Sequence, residues 1–140
     1  MKSVNPYINF NGSCEEAFTF YQSVFGGELQ LVRYGELENN MGLKGDDLNQ
    51  VGNVALPMVG ETMLYGSDVP EAFGAPVESG NQHQINIETE SADEAERLFN
   101  ALSEGGDVKM PLEQTEWAES FGMCTDQFGV EWLVMFAGDK

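Results

Sequence analysis

At 140 residues, 41% of them apolar, the chain has one domain's length and enough hydrophobic side chains for a core, which excludes wholesale disorder. Its 24 acidic and 6 basic residues leave a net charge of −18. Lys2, Arg33, Lys44, Arg97, Lys109 and Lys140 are scattered singly, so nucleic acid and anionic membrane are excluded as expected partners.

No apolar run nears the roughly 20 residues that span a bilayer, and no signal-peptide core opens the chain; the expectation is a soluble cytoplasmic protein. Cys14 and Cys124 lie far apart without CxxC spacing, so neither a redox pair nor a zinc knuckle is expected.

Val4 to Phe10 alternates, with Pro6, Ile8 and Phe10 on one face and Asn5, Tyr7 and Asn9 on the other, the period of a half-buried strand. Ser13-Cys14-Glu15-Glu16 is a capping-box pattern, Ala17, Phe20, Tyr21 and Val24 fall at helical spacing, and Gly26-Gly27 stops the helix. Glu28 to Tyr34 reads as a second strand, and residues 35–52 as a long polar loop able to hold a short helix and cover a pocket. Residues 53–65 carry a hairpin pattern around Gly60. Pro70, Gly74 and Pro76 then mark a linker over 69–80.

The same order returns. Gln82 to Glu88 alternates, Ser91-Ala92-Asp93-Glu94 repeats the cap, and Ala95, Leu98, Phe99 and Leu102 repeat the helical spacing up to Gly105-Gly106. Val108 to Leu112 is a short strand, and a loop with Trp117 follows. Ser120 to Phe136 is a hairpin turning at Asp126-Gln127-Phe128-Gly129, its last run aromatic and β-branched. Laid on each other, Gly60 meets Gly129, Met63 meets Trp132 and Leu64 meets Leu133. Two copies of one module, offset by about 77 residues, account for this order. They occupy 1–68 and 81–140 of a single domain.

A tandem βαβββ unit with Ser-x-x-Glu-Ala opening each helix, Asp-x-Phe-Gly-Val-x-Trp near the end, and Tyr7-x-x-Phe10-x-Gly12 leading into Phe20-Tyr21 and Phe25-Gly26-Gly27 resembles the vicinal oxygen chelate superfamily of glyoxalase I, bleomycin-resistance proteins and extradiol dioxygenases. Within it the sequence is similar to the PhnB-like, 3-demethylubiquinone-9 3-methyltransferase-like branch. The resemblance implies an α+β fold in which two tandem βαβββ modules form an open, curved, eight-stranded mixed sheet. It also implies a homodimer with ligand sites at the module junctions.

The superfamily's enzymes hold a divalent metal between the modules, and the strand alignment puts the four ligand positions at Asn5, Leu64, Gln82 and Leu133. Two leucines and two neutral amides offer no anionic ligand, so no metal and no other cofactor is expected. No Gly-x-Gly-x-Gly turn follows a strand to seat adenosylmethionine.

Alternation sets Asn5, Tyr7 and Asn9 beside Gln82, Gln84 and Asn86 on a cavity face, with Leu64 and Leu133 as apolar floor and Trp117 on a loop able to close over it. These nine residues form the expected ligand-binding set, suited to a neutral or aromatic molecule held by amides and stacking; the amides can equally satisfy one another. His83 shares a face with Ile85 and Ile87 and is expected to point to the helices. Asp126 is expected to tie its side chain to the turn's own amides. The leading function is binding of a small organic molecule without metal. The alternative is a metal-dependent lyase, isomerase or dioxygenase of the same superfamily, and an interaction module is a third class.

Overall fold

Period-two alternation becomes strands and helical spacing becomes helices in both halves of the chain. The computed structural model describes residues 1–140 and divides between Glu78 and Ser79, inside the expected linker, into two compact units. The first holds β1 (Tyr7–Phe10), α1 (Cys14–Phe25), β2 (Gln30–Arg33), β3 (Val51–Pro57) and β4 (Met63–Asp68). The second holds β5 (Ile85–Glu88), α2 (Ala92–Ser103), β6 (Asp107–Glu113), β7 (Ser120–Thr125) and β8 (Glu131–Phe136). All eight expected strands are present, four to each mixed sheet, in the orders β1-β4-β3-β2 and β5-β8-β7-β6. In each, the first strand pairs parallel with the last and forms one edge.

One cross-strand pair in each sheet seats the helix. Gly66 of β4 pairs with Val54, and a Cβ on Gly66 would stand 2.6 Å from Phe18 Cε1 of α1. Gly122 of β7 pairs with Val134, and a Cβ there would stand 2.8 Å from Phe99 Cε1 of α2. A side chain at either position would force the facing phenylalanine ring to shift. These contacts also assign the faces by alternation. Leu64, Gly66 and Asp68 face α1, and Trp132 and Val134 face α2.

The two helix starts are held differently. Ser91 Oγ accepts from the Glu94 amide at 3.0 Å, as the capping pattern predicts, although Glu94 Oε1 accepts from the Glu90 amide at 2.9 Å rather than from Ser91. Ser13 makes no side-chain cap at all. A distant carboxylate takes its place: Asp68 Oδ1 accepts from the amides of Gly12 (2.9 Å) and Cys14 (3.0 Å), while Oδ2 accepts from Val51 (2.9 Å). One buried side chain thus joins the end of β4 to the start of α1 and the start of β3.

The hairpin turns explain a difference between expectation and structure. The first closes through Met58 N–H to Thr62 O at 2.9 Å, the second through Asp126 N–H to Val130 O at 2.9 Å. Matching these bonds aligns Thr62 with Val130, Leu64 with Trp132 and Tyr65 with Leu133. Superposing Gly60 on Gly129 slips the first hairpin by one residue, because the two turns carry their glycines at different places. A slip of one residue exchanges the two faces of a strand.

The long loop carries two 3₁₀ turns, Tyr34–Glu36 and Gly45–Asn49. The linker is tied to the first unit by Asn11, whose side-chain amide donates to Val77 O and accepts from Val77 N–H, both at 2.7 Å. No helix is long and apolar enough to cross a membrane.

Candidate functional site: the open sheet faces

Each sheet has one face under its helix and one face turned away from it. On the first unit, the open face carries Tyr7 and Tyr65, register partners on β1 and β4 whose rings stack at 6.4 Å and 28°. Asn5 lies just before β1, where Pro6 has no N–H to extend the ladder; its Oδ1 accepts from the Met63 amide at 2.9 Å. Asn9 is exposed beside Ser67. Tyr34 closes one end, donating its hydroxyl to Asp68 O at 2.6 Å. Burial raises its phenol above the ordinary value, and nearby Tyr7 raises it further.

Leu64 does not belong to this face. It is 1% exposed and lies on the α1 side, so the expected floor position falls to Tyr65. The error follows from the turn slip.

On the second unit, the open face is built from Asn86, Leu133 and Met123, which are successive register partners across β5, β8 and β7. Gln84, just before β5, donates its side-chain amide to Met123 Sδ at 3.1 Å. Phe121 pairs with Met135 one step along. Trp117 meets Phe121 edge-on at 5.4 Å and 85° and is 57% exposed. Its loop is fixed from below: Thr115 N–H donates to Ala118 O at 2.9 Å, and Thr115 Oγ1 accepts from Ala118 N–H at 3.1 Å.

Gln82 and His83 lie outside β5, which starts at Ile85, and both are exposed. His83 therefore does not point into the helix layer, because the alternation was extended past the first paired residue.

Strand pairing sets Tyr7 beside Tyr65 and Asn86 beside Leu133, with Asn5 and Gln84 as matching positions one repeat earlier. These side chains include no carboxylate and no imidazole, and no group of three His, Cys, Asp or Glu side chains in the chain is placed to hold a metal ion. Taken unit by unit, neither donor set fits a divalent metal.

Asp126 is 3% exposed and makes the turn bonds expected of it. Oδ1 accepts from the amides of Phe128 (2.8 Å) and Val130 (3.0 Å), and Oδ2 accepts from Trp132 Nε1 at 2.8 Å. Both cysteines are buried as free thiols. Burial pushes the Cys124 thiol up to about 11, with Asp126 and Glu131 adding to it; burial, then Asp68 and Glu15, raises Cys14 further still. Neither is a nucleophile near neutral pH.

The family model described as Glyoxalase/Bleomycin resistance protein/Dioxygenase superfamily matches residues 4–134. The chain belongs to that superfamily. Among curated proteins it is similar to Protein YjdN of Escherichia coli (strain K12), 27% identical over 137 residues that cover 94% of this chain and 92% of the relative. Among solved structures it is similar to protein PA1353 from Pseudomonas aeruginosa, with 41% identity, a TM-score of 0.85 and coverage of 97% and 98%. The PhnB protein of Bacillus cereus, described as a candidate 3-demethylubiquinone-9 3-methyltransferase, shares the fold at a TM-score of 0.74 and 24% identity, covering 97% of this chain and all of that one. The glyoxalase-like superfamily resemblance read from the motifs is thus shown over residues 4–134.

Proposed function

We propose that the chain binds a small organic molecule on its open sheet faces without using a metal. The observation that supports this best is exposed Trp117 packed on half-buried Phe121 of the second unit, beside Met123, Leu133 and Met135. Soluble proteins seldom leave aromatic and thioether side chains together in water unless something covers them. On the second unit the side-chain amides of Gln84 and Asn86 supply hydrogen bonds beside these rings, and on the first unit Tyr7 and Tyr65 offer a stacking surface of their own.

The test is titration with an aromatic alcohol, following tryptophan emission and melting temperature together. Quenching that disappears in Trp117→Phe, with a rise in melting temperature, supports the reading. Unchanged quenching in Trp117→Phe refutes it, since the signal would then come from buried Trp132. Elemental analysis after dialysis should give far less than one metal per chain; near-stoichiometric metal refutes the metal-free reading.

The same exposed faces, and the unpaired edges of β1 and β5, support a homodimer in which a second copy covers them. Light scattering at micromolar concentration should give twice the 15.4 kDa chain mass; a monomer refutes the assembly.

A further inference from the structure

At its hairpin end the second unit's sheet opens into a groove of about 430 Å³ lined by Ser79, Asn81, Asp107, Lys109, Thr125 and Glu131. Thr125 pairs with Glu131 and with Asp107 in the ladders, so the three stand in one row across β8, β7 and β6. Residues 79–81 lie over the turn, where the Ser79 side chain packs against Gly129, whose φ of +90° favours glycine.

The charges here are unequal. Lys109, the one cation on these four strands, pairs with Asp107 at 3.1 Å and acts more weakly on Glu131. Glu131 accepts from Thr125 Oγ1 at 2.9 Å through Oε1; its Oε2 accepts from no other group of the chain. Glu131 is half-buried, whereas Glu88, Asp107 and Glu113, the other acids on these strands, are exposed. Partial burial makes its charge count for more than theirs, because water screens it less.

Leu133 follows Glu131 by two residues on the same face, and Met123 lies beside Leu133. A strand rises about 3.3 Å per residue, so the apolar surface begins roughly 7 Å from the carboxylate. It continues to Phe121 and Trp117 about 13 Å away.

We propose that the ligand of this face is an amphipathic amine, its cationic nitrogen held by Glu131 in the groove and its apolar or aromatic body lying over Met123 and Leu133 toward Trp117. This rests on the small-molecule reading above and adds the ligand's charge and orientation. The carboxylate is preset by the Thr125 hydroxyl, and a charge-assisted N–H···O bond at a half-buried site is stronger than its neutral counterpart.

Three probes of one skeleton test it on the intact chain: 4-phenylbutylamine, 4-phenylbutanol and 4-phenylbutanoate, by isothermal titration in low-salt buffer. The amine should bind roughly tenfold tighter than the alcohol, a difference of about 1.4 kcal/mol, and the acid weaker than both. Glu131→Gln should bring amine binding to within twofold of alcohol binding. Glu113→Gln, an exposed acid on β6, should leave the preference intact. An amine-to-alcohol ratio within twofold in the unaltered chain overturns the inference while the binding reading stands. So does a preference that survives Glu131→Gln, or one that Glu113→Gln reduces equally, which would mean diffuse attraction by the net charge of −18. Absence of binding by all three refutes the binding reading itself, and the inference with it.

Discussion

Replacing Asp68 with alanine should be among the most damaging single changes in the first unit, although the residue touches no expected ligand position. Its side chain is 2% exposed and receives three backbone N–H groups at 2.9, 3.0 and 2.9 Å. Two donors, on Cys14 and Val51, belong to residues at 0% and 1% exposure, where no water can replace the carboxylate; the third, on exposed Gly12, can turn to solvent. A buried donor left without a partner costs about 1–3 kcal/mol. The two buried donors, together with the lost helix cap, predict a loss of roughly 3–5 kcal/mol for Asp68→Ala. Against a typical stability of about 5–15 kcal/mol, that is a large share. At this chain length each kcal/mol moves the midpoint by roughly 3–5 °C, so thermal unfolding should shift down by about 10–20 °C.

Asp68→Asn separates geometry from charge. One oxygen can keep the Gly12 and Cys14 bonds, but the amide NH₂ then faces the Val51 N–H. It should fall between alanine and the unaltered chain. Circular dichroism melts give the stabilities, and hydrogen exchange at Cys14 and Val51 shows whether the loss is local. A shift below about 3 °C for Asp68→Ala, corresponding to under 1 kcal/mol, would refute the account of these bonds.

The remaining expectations follow from the same faces. Trp132→Ala should cost about 3–5 kcal/mol, since the ring is fully buried and its Nε1–H serves Asp126, whereas Glu131→Ala should cost about 1 kcal/mol or less; equal melting shifts would mean that the faces of β8 are reversed. Leu64→Glu should prevent stable folding by burying a carboxylate against α1, while Tyr65→Glu should fold. Soluble expression of both with equal melting temperatures would contradict the alignment of Tyr65 with Leu133. Native Cys14 and Cys124 should resist a thiol reagent at pH 8 and react once the chain is denatured, and rapid native labelling would show the thiols are accessible. Their folded-state pKa values are raised, to about 11 for Cys124, so the folded chain holds these protons more tightly than the unfolded one. That contribution is complete below the unfolded thiol value and is lost as pH climbs from there toward 11, which equilibrium unfolding between pH 8 and 11 would show.

The elements were legible because they depend on local pattern. Alternation at Ile8 and Phe10, helical spacing at Leu98, Phe99 and Leu102, and the Ser91 cap are each decided within a few residues, and all recur in the structure. Asp126 was legible for the same reason, since two of its partners lie two and four residues on. Asp68 was not, because its partners lie 17, 54 and 56 residues away and nothing in Gly66-Ser67-Asp68 marks it as a helix cap. Leu64 was misplaced because Gly60 and Gly129 look equivalent but sit at different points of their turns. Ser13 fits the capping pattern as well as Ser91 does, yet loses the position to a carboxylate that only the fold brings near.

Two of the chain's 24 acidic residues, Asp68 and Asp126, lie inside the fold. Each is buried and each accepts three N–H groups, Asp68 at the end of β4 and Asp126 in the turn between β7 and β8. They serve as joints: Asp68 fixes β4 to α1 and β3, and Asp126 fixes the turn to Trp132 on β8. Their oxygens are filled by the protein's own donors and are not free for a ligand. What remains on the open faces is phenol, amide, thioether and indole, with Glu131 as the half-buried charge on the second sheet. Such a surface suits the proposed recognition by shape, stacking and one ionic contact.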